Sequence, residues 1–357
     1  MKVAMLTTVH GPYDHRIYHK EAKTLVECGK YDVNVIALGT AVKALDSYRG
    51  IDGINIICYP GELKYSKHIS NCFKAFLTGL VQKPDIVHVH EPSSLAVGSA
   101  LKLLYGSKVI YDRHEYYPRL IRERFDARGL KKLANVIEFV ETVSEKFMME
   151  NVADKVIVVD EEMGNQVKHN QIIHNYPTGY TKKVRSGCNF GYVGMMNLRK
   201  IPQSVEIVRK LSEYVPDVRY KIAGMAFDKT DIPENCEHVT YCGVIPHCEV
   251  NKFLDDVSWG FCLYEKTDRY ETARSTKTFE YIMSGIPVIA SRTKGNQFIE
   301  DEGYGILIDP DNVEESVEAI REAIPYCTEY SRKCLTAQFG WEEEKLLSLY
   351  KSLENEK

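Results

Sequence analysis

The stretch Tyr264–Ser291, YEKTDRYETARSTKTFEYIMSGIPVIAS, decides the fold. A polar loop leads to Ser275 and Thr276, either of which can cap a helix. Phe279, Tyr281, Ile282 and Met283 then supply an apolar anchor, Gly285 a stop, and Ile286–Ala290 a buried strand. Loop, helix, glycine and apolar strand in that order make one unit of a doubly wound α/β sheet. The start of such a helix is also an anion site, because unpaired N–H groups and the positive end of the helix dipole point outward there. Lys277 adds a full charge, Thr278 a hydroxyl, and Glu280 a carboxylate able to accept hydrogen bonds from sugar hydroxyls. A diphosphate with a sugar attached fits that set of groups.

The same alternation runs through the chain. Lys2–Thr8, Val33–Leu38, Ile54–Tyr59, Asp85–His90, Lys108–Tyr111, Val156–Asp160 and Gln171–His174 read as strands, and Arg16–Cys28 as the first helix. The polar, basic segment TGYTKKVRSG at 178–187 lacks apolar periodicity and reads as a linker. A second series follows: a helix at Ile201–Leu211, and strands at Asn189–Gly194, Arg219–Gly224, His238–Cys242, Trp259–Tyr264, Ile286–Ala290 and Gly305–Ile308. The expected organisation is a first domain over 1–178, a linker over 179–187, a second domain over 188–335, and a terminal segment over 336–357. In that segment Trp341, Leu346, Leu347, Tyr350 and Leu353 line one side of an amphipathic helix. Ligands of such sheets bind at the carboxyl ends of the strands.

A chain of 357 residues suits two cores, and its 44% hydrophobic content supports packed domains. The net charge of −4 argues against a nucleic-acid partner, which needs a basic stripe. No apolar run approaches the roughly 20 residues that span a bilayer, and Met1-Lys2-Val3 enters a strand directly, so a cytoplasmic protein is expected. The ten cysteines are scattered, several inside elements, and read as reduced thiols. Cys236, Cys242 and Cys248 with His238 and His247 lack paired zinc-site spacing.

Chemistry concentrates at strand ends. The first loop, VHGPYDHR at 9–16, offers Gly11 for close approach and presents Asp14, Arg16 and Lys20. In DIVHVHEPSSL, alternation sends His88 and His90 to one face, with His90 at the functional end of the strand and His88 packing inside. DRHEYY at 112–117 offers His114 and Glu115. In FGYVGMMNLRK, Gly194 ends a strand, and Arg199 or Lys200 can grip phosphate, Arg199 being favoured by the register of the following helix. Gly224 closes another strand, and Tyr264 sits at the tip of a further one, where it would border a nucleotide base. Asp309-Pro310-Asp311 precedes Asn312 and Glu315 and reads as a capping box rather than a metal site, so neither metal nor cofactor is expected. Arg119–Leu133 carries six basic and two acidic residues among apolar ones, and with Lys64, Lys67, His68 and Lys74 reads either as a surface for an anionic bilayer or as ordinary solvated helix faces.

The basic residue before Phe279-Glu280-Tyr281, followed by Ser284-Gly285-Ile286-Pro287-Val288-Ile289, resembles the retaining glycosyltransferases of family 4 (group 1), of the bacterial polysaccharide-biosynthesis type. So do Pro12-x-Asp14-x-Arg16-Ile17, His88-x-His90-Glu91-Pro92, Asp112-x-His114-Glu115 and the Tyr192-Val193-Gly194 loop. The family's first motif glutamate would fall on Thr272, with Glu271 one place off. The resemblance implies the GT-B fold, with two Rossmann-like domains facing across a cleft and the terminal helix crossing back to the first. It implies a nucleotide diphosphate sugar donor, UDP-linked by preference, held by Gly11, Gly194, Lys200, Gly224, Tyr264, Ser275, Thr276 and Thr278. The implied catalytic set is His90 at the donor sugar, Arg199 and Lys277 on the leaving diphosphate, and Glu280 on the ribose. Asp14, Arg16, Lys20, His114 and Glu115 would face a glycan or lipid-linked acceptor at the inner face of the membrane. A sugar-nucleotide epimerase of the same architecture and a catalytically silent binding scaffold are the rival readings.

Overall fold

The computed structural model describes residues 1–39, 47–49, 52–61, 67–126, 129–197, 199–226, 233–235 and 237–355. Lys64 and Cys236, singled out above, lie outside the described residues. Two compact units divide the chain: Met1–Asn175 with Trp341–Lys357, and Tyr176–Gly340.

Among the described residues the first unit holds eight strands: β1 (Lys2–Leu6), β2 (Asp32–Gly39), β3 (Ser47–Arg49), β4 (Asn55–Pro60), β5 (Ile86–Val89), β6 (Lys108–Arg113), β7 (Lys155–Val158) and β8 (Asn170–Ile172). Their order is β3-β4-β2-β1-β5-β6-β7-β8, and every pairing is parallel except β3 with β4. Alternation along β5 sorts its side chains as expected. Val87 and Val89 face one apolar layer with Ala75, Leu101 and Met149, while Ile86 faces the layer of Ile17, Leu25, Leu346 and Tyr350. The helix Glu343–Glu354 therefore completes the core of the first unit, with Leu346, Leu349, Tyr350 and Leu353 turned inward. The expected helix at Arg16–Cys28 forms as a π-helical turn over Ile17–Ala22 that continues as an α-helix over Lys23–Glu27.

The second unit holds β9 (Asn189–Val193), β10 (Arg219–Ala223), β11 (Val239–Tyr241), β12 (Trp259–Cys262), β13 (Val288–Ser291) and β14 (Gly305–Ile308). They form a wholly parallel sheet in the order β11-β10-β9-β12-β13-β14. Parallel sheets of this kind need cover on both faces. Ile207, Val208 and Leu211 of the helix Ile201–Leu211 supply it on one, Tyr281, Ile282 and Met283 of the helix Thr276–Met283 on the other. Both units are α/β, and each sheet reverses its strand order at the centre, where ligands of such sheets bind. No helix among the described residues is long and apolar enough to cross a membrane.

Candidate functional site

The second unit brings a cluster together at the carboxyl end of β9. Gly194 leaves the strand at φ +135°, and a Cβ there would lie 2.1 Å from Lys277 Cε and 2.5 Å from its Nζ. The lysine side chain thus lies across the backbone of Gly194. Contacts of Tyr281 fix the helix that carries the lysine. The Tyr281 hydroxyl accepts the Val193 N–H at 3.2 Å, and the Tyr281 ring fills the space left by Gly260, where a Cβ would come within 2.3 Å. Gly285 ends the helix in the left-handed region at φ +72°, as expected. Gly224 stacks its loop on that of Gly194 so closely that a Cβ would sit 1.7 Å from the Gly194 carbonyl oxygen.

Arg199 reaches the same place by another route. Its guanidinium lies 4.3 Å from the centroid of the Tyr264 ring and 5.5 Å from that of Tyr270, and those rings stack at 4.5 Å. Aromatic faces attract the cation without consuming its N–H groups, and Arg199 Nη1 is buried with no hydrogen-bond partner among the described residues. Burial first, then the charge of Arg199, lowers the Lys277 pKa from its ordinary value, with Glu280 and Cys262 opposing. Two desolvated cations that repel one another at the start of a helix call for an anion carrying more than one charge.

Some site expectations are corrected by the structure, while the capping role of Asn312 is borne out. Lys200 is engaged by Asp311 at 2.7 Å, whereas Arg199 turns toward Tyr264 and Lys277. Tyr264 is 2% exposed beneath Arg199, so it supports the arginine rather than bordering a base. Thr278 is wholly buried and donates to Cys262 Sγ at 3.2 Å, because its place in the first turn points inward. Ser275 occupies the N-cap without a side-chain cap bond. Thr276 and Glu280 are half-buried, as is Thr272 at the expected first-glutamate position, while Glu271 is exposed. Asp309 and Asp311 are taken up by Lys266 and Lys200, and Asn312 caps the helix Val313–Ala323 by accepting from the Glu315 N–H.

In the first unit the expected residues gather into a buried polar network. His90 Nε2 meets Glu21 Oε2 at 2.8 Å, and the His90 ring stacks on His88 at 4.8 Å. His88 Nδ1 bonds the Tyr350 hydroxyl at 2.9 Å. Arg16 Nε donates to Asp112 at 2.5 Å and lies 3.1 Å from Glu21. Arg16 and Lys20 were expected to face the acceptor and His90 the donor sugar; all three are buried, Lys20 donating to the Asn175 side chain at 2.7 Å. Burial opposes the charge on His90, but the Glu21 hydrogen bond and the charges of Glu21, Asp112 and Glu91 together raise its pKa. A sugar hydroxyl would reach His90 Nε2 only by taking the place of Glu21. Glu21, His88, His90 and Asp112 offer ligand atoms within 4.8 Å of one another, and the Arg16 guanidinium already supplies positive charge among them.

The nearby rim is formed by His10 and Asp14, 3.2 Å apart and each about a quarter exposed. Gly11 is exposed, with open space where a Cβ would stand. His114 is nearly buried, and its pKa falls to about 3 because burial and the charges of His10, Arg16 and His90 outweigh Asp112. Glu115 is half-buried. The sequence reading gave no role to Glu21, Glu91 or Tyr270. Glu91 is the anchor of the first loop, accepting from the Thr7 hydroxyl and from the N–H groups of Thr8 at 3.0 Å and Val9 at 3.2 Å.

Two family models match the chain and between them take in most of it: "Glycosyltransferase Family 4" over residues 15–176 and "Glycosyl transferases group 1" over residues 187–325. The chain is a family 4, group 1 glycosyltransferase of the GT-B fold. Solved structures agree on the fold. Sucrose-phosphate synthase from Thermosynechococcus elongatus superposes with a TM-score of 0.75 at 16% identity, covering 100% of both chains. HepE of Anabaena, solved with UDP-glucose, gives 0.68 at 13% identity, covering 99% of this glycosyltransferase and 100% of HepE. A UDP-N-acetylglucosamine 2-epimerase candidate from Listeria monocytogenes gives 0.62 at 13%, covering 100% and 97%. Against the curated proteins the chain has no match in sequence.

Proposed function

We propose that this glycosyltransferase moves a sugar from a nucleotide diphosphate donor, UDP-linked by preference, to a glycan or lipid-linked acceptor in cell-surface polysaccharide biosynthesis. The observation that carries the donor half is the convergence of Arg199 and Lys277 at Gly194 beside the first turn of the helix Thr276–Met283. In sugar transfer the largest electrostatic demand is the negative charge gathering on the departing diphosphate. Arg199 supplies a guanidinium fork for it, Lys277 a point charge, and the helix start its free N–H groups. Glu280 sits on the same turn and is suited to the ribose hydroxyls.

Thr272, half-buried, occupies the family's first motif position, with the exposed Glu271 one place off. The resemblance to retaining family members favours front-face transfer, which asks for no dedicated carboxylate nucleophile: the acceptor oxygen bonds to the anomeric carbon as the carbon–oxygen bond to the diphosphate breaks on the same side. The acceptor proton passes to the leaving phosphate oxygen. The epimerase reading shares the donor site but needs no acceptor. Supplying UDP-glucose with and without a lipid-linked or glycan acceptor separates the two. Release of UDP only with acceptor, with an α-linked product by NMR, supports transfer with retention. Donor turnover without acceptor supports the epimerase.

A further inference from the structure

Three helices of the first unit cover the same face of its sheet: His68–Gln82, Pro92–Tyr105 and Lys131–Asn151. Their inward residues, Ala75, Leu101 and Met149 among them, share one apolar layer. The first two pack tightly enough that a Cβ on Gly79 would lie 2.7 Å from Leu101 Cδ1. Their outward faces are apolar too, which a helix on a sheet does not require. On the first helix Ile69, Phe73, Leu77 and Val81 recur every fourth residue, and Ile69 is 85% exposed. On the second, Leu103 is 88% exposed beside Leu104. On the third, Val136, Val140, Val143 and Phe147 form an exposed stripe, with Phe139 at 69% exposure next to it.

The charges around these residues have one predominant sign. Neither Lys67–Lys83 nor Pro92–Lys108 contains an aspartate or glutamate, although Lys102 and Lys108 are paired with Asp154 at 2.8 and 3.7 Å, so the first and third helices carry most of the free positive charge. On the third helix Lys131, Lys132 and Lys146 are exposed; of its four acids, Glu138 is drawn to Arg122 at 3.2 Å, Glu141 is half-buried, Glu145 is buried against Arg113, and only Glu150 is fully exposed. The basic stretch Arg119–Leu133 contributes less than its composition suggests, since Arg122 is paired and Arg119 lies over the Tyr116 ring.

We propose that this three-helix face docks on a bilayer containing anionic lipid, its apolar side chains entering the headgroup boundary and its lysines meeting lipid phosphates. Apolar residues with a basic rim are what an interfacial surface requires. A second copy of the chain fits less well, because a two-fold contact would set the same basic face against itself. The surface gives the lipid-linked acceptor of the preceding section a reason to be within reach, and to that extent rests on that reading.

The test is sedimentation of the full chain with vesicles of phosphatidylcholine alone and of phosphatidylcholine mixed with phosphatidylglycerol. The protein is expected in the pellet only with the mixed vesicles, and less of it as salt rises. Phe73→Glu with Phe139→Glu is expected to lower partitioning at least roughly tenfold, with the thermal melt and UDP affinity unchanged because both positions are exposed. Lys131→Glu with Lys132→Glu is expected to weaken it while keeping every apolar side chain. Wild-type protein that stays in solution with the mixed vesicles overturns the proposal. So does a dimer in sizing chromatography that the phenylalanine variants dissociate, which assigns the face to a second copy. UDP titration of the same samples reports separately on the donor site, so loss of one leaves the other standing.

Discussion

Replacing Gly194 with alanine tests how the donor site is built. The new Cβ would stand 2.1 Å from Lys277 Cε and 2.5 Å from Nζ, and the nearest atoms belong to the free end of a flexible side chain. The lysine can swing away, so the fold survives at a cost of about 1–2 kcal/mol for holding alanine at a positive φ. The ammonium, however, loses its place. A hydrogen bond to a charged group contributes about 1.5–3 kcal/mol, so UDP affinity should fall roughly 10- to 140-fold at 1.4 kcal/mol per tenfold. Isothermal titration with UDP on wild type, Gly194→Ala, Lys277→Ala and the double variant closes a cycle. If alanine acts by displacing the lysine, the double variant binds no more weakly than Lys277→Ala alone. Wild-type affinity in Gly194→Ala, or two losses that simply add, refutes the arrangement. Gly224→Ala is the contrast, since its Cβ would meet the backbone carbonyl of Gly194 at 1.7 Å; it should cost stability rather than affinity alone.

Further outcomes follow from the same geometry. Glu280→Ala should weaken nucleotide-sugar binding at least about tenfold by calorimetry, the scale of a charged hydrogen bond. Lys200→Ala should leave UDP affinity unchanged and shift stability by less than about 1 kcal/mol, because its partner Asp311 is largely exposed. Tyr264→Leu should weaken UDP binding without unfolding the second unit, by removing the ring beneath Arg199. His10 is opposed by burial, yet the Asp14 hydrogen bond and the charges of Glu91, Asp14 and Glu115 raise its pKa to about 9. A raised histidine pKa gives stability that is complete below the unfolded value near 6.5 and is lost as pH climbs through about 9. Asp14, opposed by burial but lowered chiefly by His10, contributes above its unfolded value and loses that contribution as pH falls below it. Asp14→Asn should therefore reduce the melting temperature most at mildly acidic to neutral pH and little near pH 10.

The sheets were legible because buried parallel strands are short apolar runs closed by glycine or polar loops, as Ile286–Ala290 and Lys2–Leu6 show. The short antiparallel strand Ser47–Arg49 escaped, having no apolar run to announce it. Local placement could also be read where helix geometry fixes it: Lys277 and Glu280 share a turn, and Tyr281 and Ile282 face the core. Long-range pairing could not. Glu21 meets His90 across 69 residues and Arg16 meets Asp112 across 96, so nothing in the first loop reveals that its cations are taken up inside. Thr278 looked like a donor ligand for the same reason, its partner Cys262 lying 16 residues back at the end of β12.

The central claim is that Arg199 and Lys277 together neutralise the diphosphate of a nucleotide-sugar donor. Calorimetric titration of UDP into wild type and into the Arg199→Ala, Lys277→Ala double variant tests it most directly. Two lost charged contacts predict a loss of at least about a hundredfold in affinity, with an unchanged melting transition for the first unit. Equal affinity in the two proteins would contradict the claim.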